Sequence, residues 1–362
     1  MRSELAERLL GALMQWDVPR FAAEVARVQA LAALKYDEYG HYGPGSKFAE
    51  NLARWLEQFE PAERDVAYAF AMSRLVFVSD AEMNHLIELA YPDVVEPRLL
   101  GRTAEDLGEP TYRVSAVASS DVFRSVRRRT LFLGLSDGAH LDRLRRASPL
   151  LSHEQFTQDY EVTDDQARRL VGELANALAV QSLPGDPTFR DVVLVDDFSG
   201  SGRTLIRADP DAPGGFKGKL WRFSGRLAEL REAGVVAADV AVAVLLYTAT
   251  EQAVDHVRAV CREAGLEGWS LYVVQVLPRA LRVDRSDAAM TQLCRDYYDP
   301  TTADEHKGDT PLGYEDCALP LVLAHNTPNN SVCLLWAESS GDDGLDRHAL
   351  FPRYERHHKD RP

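Results

Sequence analysis

The chain has 362 residues, of which 45% are hydrophobic and 27% are charged, and its formal net charge is -15 at pH 7. This length is typical of two or three domains, and the composition is that of an ordinary globular protein. The negative charge argues against a surface that binds duplex nucleic acid non-specifically, because such a surface needs a concentrated basic footprint; a local footprint stays open. No apolar run approaches the roughly 20 residues that span a bilayer, and the N-terminus has no signal-peptide pattern, so we expect no membrane segment.

Residues 1–105 are predicted to form a helical domain. Ser79 and Glu82 form a capping-box pattern that predicts one helix start. We interpret the domain as a packing or interaction module, and therefore as the surface that would meet a partner protein; alternatively, the aromatic residues of segment 36–42 reach over a ligand or a base. Apolar residues recur at helical spacing at positions 21–34, 48–59 and 66–76.

From about Thr111 the pattern changes to strands that alternate with helices. Such alternation predicts an α/β domain over residues 106–290, with a Rossmann-like, mainly parallel sheet. Thr163 and Gln166 form a second capping box, which predicts a helix after them. The apolar runs that predict the strands are at positions 114–117, 131–135, 192–195, 240–247 and 271–276.

The most informative stretch runs from Val192 to Thr204. Its four aliphatic residues suit a strand of a parallel sheet that is covered on both faces. Asp196 and Asp197 then lie at the carboxyl end of the strand, the edge at which open α/β sheets bind ligands. Glycines in the loop that follows allow backbone N–H groups to converge on a phosphate. The residues of this loop are Ser199, Gly200, Ser201, Gly202, Arg203 and Thr204.

This stretch resembles the motif of the type I phosphoribosyltransferases, which has four hydrophobic residues, two acids and a Thr/Ser/Gly-rich loop ending near a threonine. The resemblance implies that Asp196 and Asp197 are the catalytic acids that bind the ribose hydroxyls of phosphoribosyl pyrophosphate (PRPP), and that residues 199–204 hold its 5-phosphate. Arg203 stands where a small residue or glycine is commoner. The loop after the earlier predicted strand would contact the pyrophosphate, and its residues are Ser136, Asp137 and Gly138.

The resemblance also implies an activity. PRPP, or a nucleotide with ribose 5-phosphate, would react at the ribose C1 through a centre with oxocarbenium character, with Mg²⁺ carried on the pyrophosphate. The whole layout resembles phosphoribosyltransferase-like proteins of bacterial conflict systems such as anti-phage defence. A non-catalytic PRPP or nucleotide sensor that regulates a partner protein, and a single-stranded RNA binder, are the alternatives.

Other interpretations of the same residues stay open. A Walker A loop is a poor match, because Asp197 and Arg203 occupy the positions that need glycine and lysine. The acid pair would otherwise simply cap a helix after an ordinary strand-to-helix turn, and segment 136–138 would likewise be an ordinary turn.

Residues 208–219 interrupt the helix that would normally follow the phosphate loop, because they include several helix-breaking residues. This insertion is either a lid that brings Lys217 or Lys219 to the phosphates, or a disordered surface excursion. Residues 291–362 are predicted to form a strand-containing hood, from apolar runs at positions 319–323 and 332–336.

The remaining polar features suggest no metal site. The cysteines lie far apart and lack paired metal-ligand spacing, so we expect reduced core thiols in a cytoplasmic protein. Segment 304–309 is predicted to be a charged loop of the hood, and the histidines of the tail are expected in solvent. The cysteines are Cys261, Cys294, Cys317 and Cys333, and the histidines of the tail are His348, His357 and His358.

Overall fold

A computed structural model describes residues 3–302, 310–340 and 346–353. The predicted loop 304–309 and the histidines His357 and His358 lie outside these residues. The contacts divide the chain into a first unit, Met1–Glu82 with Pro278–Pro362, and a second unit, Met83–Leu277. The limits of these units do not coincide with the predicted division at residues 105 and 290.

Helices predominate up to residue 128, and strands and helices alternate in much of the described chain after it. The α-helices are α1 (Ser3–Leu13), α2 (Val18–Leu34), α3 (Phe48–Glu57), α4 (Arg64–Ser73), α5 (Asp80–Leu89), α6 (Glu96–Leu107), α7 (Val114–Ala118), α8 (Asp121–Arg128), α9 (Leu141–Ala147), α10 (Asp164–Val180), α11 (Lys219–Glu232), α12 (Glu251–Glu263), α13 (Val283–Ser286), α14 (Ala288–Asp296) and α15 (Cys333–Trp336). The strands are β1 (Val76–Val78), β2 (Thr130–Gly134), β3 (Phe156–Thr157), β4 (Phe189–Ser199), β5 (Arg207–Ala208), β6 (Phe216–Lys217), β7 (Val236–Thr250), β8 (Ser270–Leu277), β9 (Leu321–Leu323), β10 (Ser339–Ser340) and β11 (Asp346–Arg347).

The second unit is built on a parallel sheet of five strands in the order β3-β2-β4-β7-β8. After β2 the chain forms β3 on one side, and it then returns to the other side of β2 to form β4. The strand order therefore reverses between β2 and β4, and open α/β sheets bind ligands at the carboxyl ends of the strands at such a point. The α/β fold class with a mainly parallel sheet is confirmed.

The central strand β4 forms because its aliphatic residues are covered on both faces. Val192, Val193, Leu194 and Val195 are each at most 1% exposed. Helices α10, α11 and α12 supply apolar side chains to the same core, among them Leu174, Phe223 and Val257. The capping box before α10 is confirmed, since the Thr163 N–H donates to Gln166 Oε1 over 2.8 Å and the Gln166 N–H donates back to Thr163 Oγ1 over 3.4 Å.

The first unit is mainly helical, and segments from both ends of the chain form its core. Trp55 of α3 is fully buried, and its indole N–H donates to the Leu334 carbonyl over 2.7 Å. The predicted capping box of α5 is confirmed by reciprocal bonds between Ser79 and Glu82 of 2.9 and 3.1 Å. Over the described residues, every helix is too short or too polar to cross a membrane.

Three apolar runs adopt a different structure from the one predicted. Residues 114–117 lie in helix α7 rather than a strand, and Val114 is 51% exposed. Val76 leaves the preceding helix and pairs with Leu321 in a parallel two-stranded sheet. Residues 333–336 of the last run form α15 rather than a strand. Short apolar runs do not distinguish a strand from a buried helix, so the neighbouring structure decides.

Candidate functional site

The two acids of the predicted ribose site lie near the carboxyl end of β4. Asp196 pairs in register with Leu246 of β7 and is only 4% exposed, whereas Asp197 is half-buried. Gly134, the last residue of β2, pairs with Val195, so the loop that follows β2 begins beside the acids. The fold thus brings the predicted pyrophosphate loop and the acid pair to the same edge of the sheet.

Both carboxylate oxygens of Asp196 are hydrogen-bonded. The Ser136 hydroxyl donates to Oδ1, and the Lys219 ammonium lies 2.7 Å from Oδ2. Burial raises the pKa of Asp196, Lys219 lowers it, and the neighbouring Asp197 raises it, with a net increase. Ionised Asp196 therefore depends on its hydrogen-bond partners.

Segment 137–139 forms a single 3-10 turn against the acid pair. A β-carbon built on Gly138 would lie 2.6 Å from Asp197 Oδ2, so only glycine fits this position without a shift. The buried Tyr247 hydroxyl donates to the Ala139 carbonyl over 2.8 Å and fixes the turn to β7. Asp137 is exposed. The segment is thus a turn, and it is also packed on the acids.

The predicted phosphate loop is compact and lies against the start of α12. The Thr250 hydroxyl donates to the Gly200 carbonyl over 2.6 Å and also caps α12. Gly202 has a φ of 80°, and a β-carbon there would lie 2.9 Å from the Ala253 carbonyl oxygen. Ser199 and Ser201 are each 7% exposed, whereas Arg203 is half-buried and Thr204 is exposed.

The insertion after the phosphate loop is an ordered hairpin, so a disordered excursion is the wrong description. Strands β5 and β6 pair antiparallel, and the Lys217 ammonium lies 2.7 Å from Asp209. Gly218 follows with a φ of 120°, a conformation that glycine alone adopts readily. The Lys219 N–H then donates to the Thr204 carbonyl over 3.1 Å, which returns the chain to the loop it left.

The lid interpretation of the insertion offered Lys217 or Lys219 as a phosphate contact, and the contact of Lys219 with Asp196 was not predicted. The only signal was a lysine next to a glycine at the end of an insertion beside the acids. Two arginines that precede β2 in the chain bond to groups outside the acid pair, because Arg124 pairs with Asp121 and the Arg129 guanidinium donates to the Thr188 carbonyl. In the described ranges, no group of three or more His, Cys, Asp or Glu residues is arranged to hold a metal ion.

A family model described as PRTase-CE, a phosphoribosyltransferase-type family, matches residues 52–353, which is most of the chain. No curated protein matches the chain, and no solved structure matches it. The match confirms the predicted phosphoribosyltransferase-like domain.

Proposed function

Since the chain belongs to the PRTase-CE family, we propose that it binds PRPP, or another nucleotide with ribose 5-phosphate, at the carboxyl ends of β2 and β4. The observation that carries this proposal is the convergence of Ser136, Asp196 and Asp197 at the point where the strand order reverses. Ribose hydroxyls are donors, and they match adjacent carboxylates better than a bare polyphosphate does.

The phosphate is assigned to the loop that follows the acids. Residues 199–204 would present their N–H groups to the 5-phosphate, and the positive φ of Gly202 gives the loop the turn such a cradle needs. The turn at 136–138 is assigned to the pyrophosphate. Mg²⁺ enters this proposal as part of the substrate, carried by the pyrophosphate, where its charge stabilises the leaving group.

The proposed reaction is transfer at the ribose C1. The bond between C1 and the pyrophosphate oxygen breaks with its electron pair on the oxygen, and an acceptor nucleophile forms the new bond to C1 and releases its proton. Asp196 and Asp197 orient the sugar by binding its hydroxyls, and their negative charge favours the positive charge that develops on the ribose. Catalysis of this kind needs no activated protein nucleophile.

Turnover of Mg-PRPP with a panel of bases and nucleotides tests this proposal, with pyrophosphate release as the readout. We expect release by the wild-type protein and its loss in the double variant Asp196→Asn/Asp197→Asn. Full activity of that variant would overturn the assignment. Tight binding without turnover would support a sensor instead, and strongly salt-dependent RNA binding would support an RNA binder.

The biological setting is part of the same proposal. We place the protein in the cytoplasm, with the N-terminal helices as the surface for a partner protein and anti-phage defence as the role. The support for this role is family membership together with the resemblance of the overall layout to proteins of bacterial conflict systems. A phage challenge of cells with and without the gene tests the role.

A further inference from the structure

We propose that Lys219 is a positioning residue of the ribose site, which holds Asp196 ionised and oriented so that it accepts a ribose hydroxyl. This inference rests on the proposed function, because it assigns Asp196 to the sugar. Lys219 is the first residue of α11, directly after the inserted hairpin and outside the stretch that carries the resemblance to phosphoribosyltransferases.

The first support is the geometry around Asp196. Lys219 Nζ lies 2.7 Å from Oδ2, and the Ser136 hydroxyl donates to Oδ1, so each carboxylate oxygen has a hydrogen-bond partner of its own. A carboxylate has about four acceptor positions, so each oxygen retains room for one more donor. The side chains of Lys219 and Asp196 are only 16% and 6% exposed. At this depth the ammonium is screened little by solvent, unlike a surface lysine.

The second support is the way the backbone fixes Lys219. A β-carbon on Gly218 would lie 2.5 Å from the Leu205 carbonyl oxygen, so this close return needs glycine. The Lys219 N–H donates to Thr204, and the Leu220 N–H donates to Leu205 over 2.9 Å. Lys219 is therefore attached to the proposed phosphate loop through its backbone and to the proposed ribose acid through its side chain.

The third support is the charge around Asp196. Asp197 on the same strand disfavours the ionised form, and Ser136 and Lys219 favour it. Asp196 contributes to the raised pKa of Tyr247 on β7 and of Tyr160 after β3, so both phenols are neutral. Lys219 is the cation that contacts Asp196 directly.

The test uses the full chain and matched substitutions of two neighbouring lysines, Lys217 at the end of the hairpin and Lys219 at the start of α11. Lys219→Gln removes the cation at Asp196, and Lys217→Gln removes the cation at Asp209, which lies on the same hairpin. Calorimetric titration with Mg-PRPP, and separately with ribose 5-phosphate, is carried out from about pH 5 to about pH 8, above the ordinary carboxyl pKa, because the pKa of Asp196 is raised. Lys219→Arg keeps a cation, and thermal unfolding establishes that each variant is folded.

We expect Lys219→Gln to weaken binding at pH 7 by about tenfold or more, because a hydrogen bond to a charged group is lost. Without the cation the pKa of Asp196 rises further, and since binding needs the carboxylate, the acid limb of the profile moves to higher pH. Lys217→Gln should bind with the affinity and pH dependence of the wild type, and Lys219→Arg should restore the acid limb of the wild-type binding profile.

Two results would overturn the inference. One is a Lys219→Gln profile that overlays that of Lys217→Gln, and the other is tighter binding by Lys219→Gln, which would make Lys219 a competitor of the sugar. Failure of the wild-type protein to bind either probe would instead contradict the proposed function itself. The two failures are therefore distinguishable.

Discussion

Gly138 and Asp197 lie so close that a β-carbon on the glycine would fall 2.6 Å from the carboxylate Oδ2. The turn after β2 and the acid at the end of β4 are therefore fitted to each other, although 59 positions separate them in the chain. A side chain at Gly138 must displace either the turn or the carboxylate.

Gly138→Ala should weaken Mg-PRPP binding by about tenfold, since overpacking costs about 1–3 kcal/mol and a tenfold change corresponds to about 1.4 kcal/mol. Calorimetry measures this effect. The control is Gly172→Ala in α10, where nothing lies within 4 Å of the added carbon. That control should bind normally and gain about 0.5–1 kcal/mol of stability. Equal Mg-PRPP affinity of the two variants would contradict the close packing of Gly138 against Asp197.

Tyr247→Phe tests the hydrogen bond that fixes the same turn. The variant leaves the buried Ala139 carbonyl without this donor, so the free energy of unfolding should fall by about 1–3 kcal/mol. Urea denaturation measures the change, and Tyr272→Phe on the neighbouring strand β8 serves as the control. A loss no greater than that of the control would show that the bond does not stabilise the turn.

A buried acid near the start of β4 provides a test of stability away from the acid pair. Arg98 and Arg102 of α6 both donate to Asp191 Oδ1, at 2.7 and 2.6 Å, and the Asp191 side chain is 1% exposed. Asp191→Ala leaves two arginines without this partner and should cost about 3–5 kcal/mol in chemical denaturation. The surface variant Asp121→Ala, which loses only the exposed pair with Arg124, should stay within about 0.5 kcal/mol of the wild type. Similar losses of unfolding free energy in the two variants would contradict a special contribution of the buried Asp191.

The ionisation of Asp196 makes the free energy of unfolding depend on pH. Its pKa in the folded protein is raised above the ordinary 3.8, so the folded state binds this proton more tightly than the unfolded chain does. Its ionisation therefore costs stability, and the cost grows as pH rises from the unfolded pKa to the folded one. The stability of Asp196→Asn relative to wild type should increase from about pH 4 to about pH 7 in denaturation curves. A flat or falling difference would mean that the folded pKa is not raised.

The cysteines give a test of the core in both units. All four are free and buried, and burial raises the pKa of Cys261 to about 11 and those of Cys317 and Cys333 to about 12. The native thiols should react with a disulfide reagent about a hundredfold more slowly than the unfolded chain, because little thiolate forms. Rapid labelling of several thiols in the native state would contradict this packing.

Much of the α/β core was predictable from local patterns. Val192–Val195 reads as a buried strand because four aliphatic residues in a row suit a sheet covered on both faces, and the capping boxes at Thr163 and Ser79 mark helix starts through bonds between near neighbours. These features depend on residues close in sequence. Such interactions are largely independent of the rest of the fold.

The errors concern features that distant residues decide. Val76 joins a strand only because Leu321, far along the chain, lies beside it, and the run at 333–336 is buried as a helix. The contact between Lys219 and Asp196 depends on a hairpin that first leaves the phosphate loop and then returns to it. No local pattern specifies such a return, so the contact of Lys219 with Asp196 was not predicted.

A structure of the protein with Mg-PRPP tests the central claim most directly. We predict that the ribose hydroxyls lie within hydrogen-bond distance of Asp196 and Asp197, that the 5-phosphate contacts the N–H groups of residues 199–204, and that the pyrophosphate lies beside residues 136–138. A sugar bound elsewhere on the chain, with Asp196 still bonded to Ser136 and Lys219, would contradict the claim.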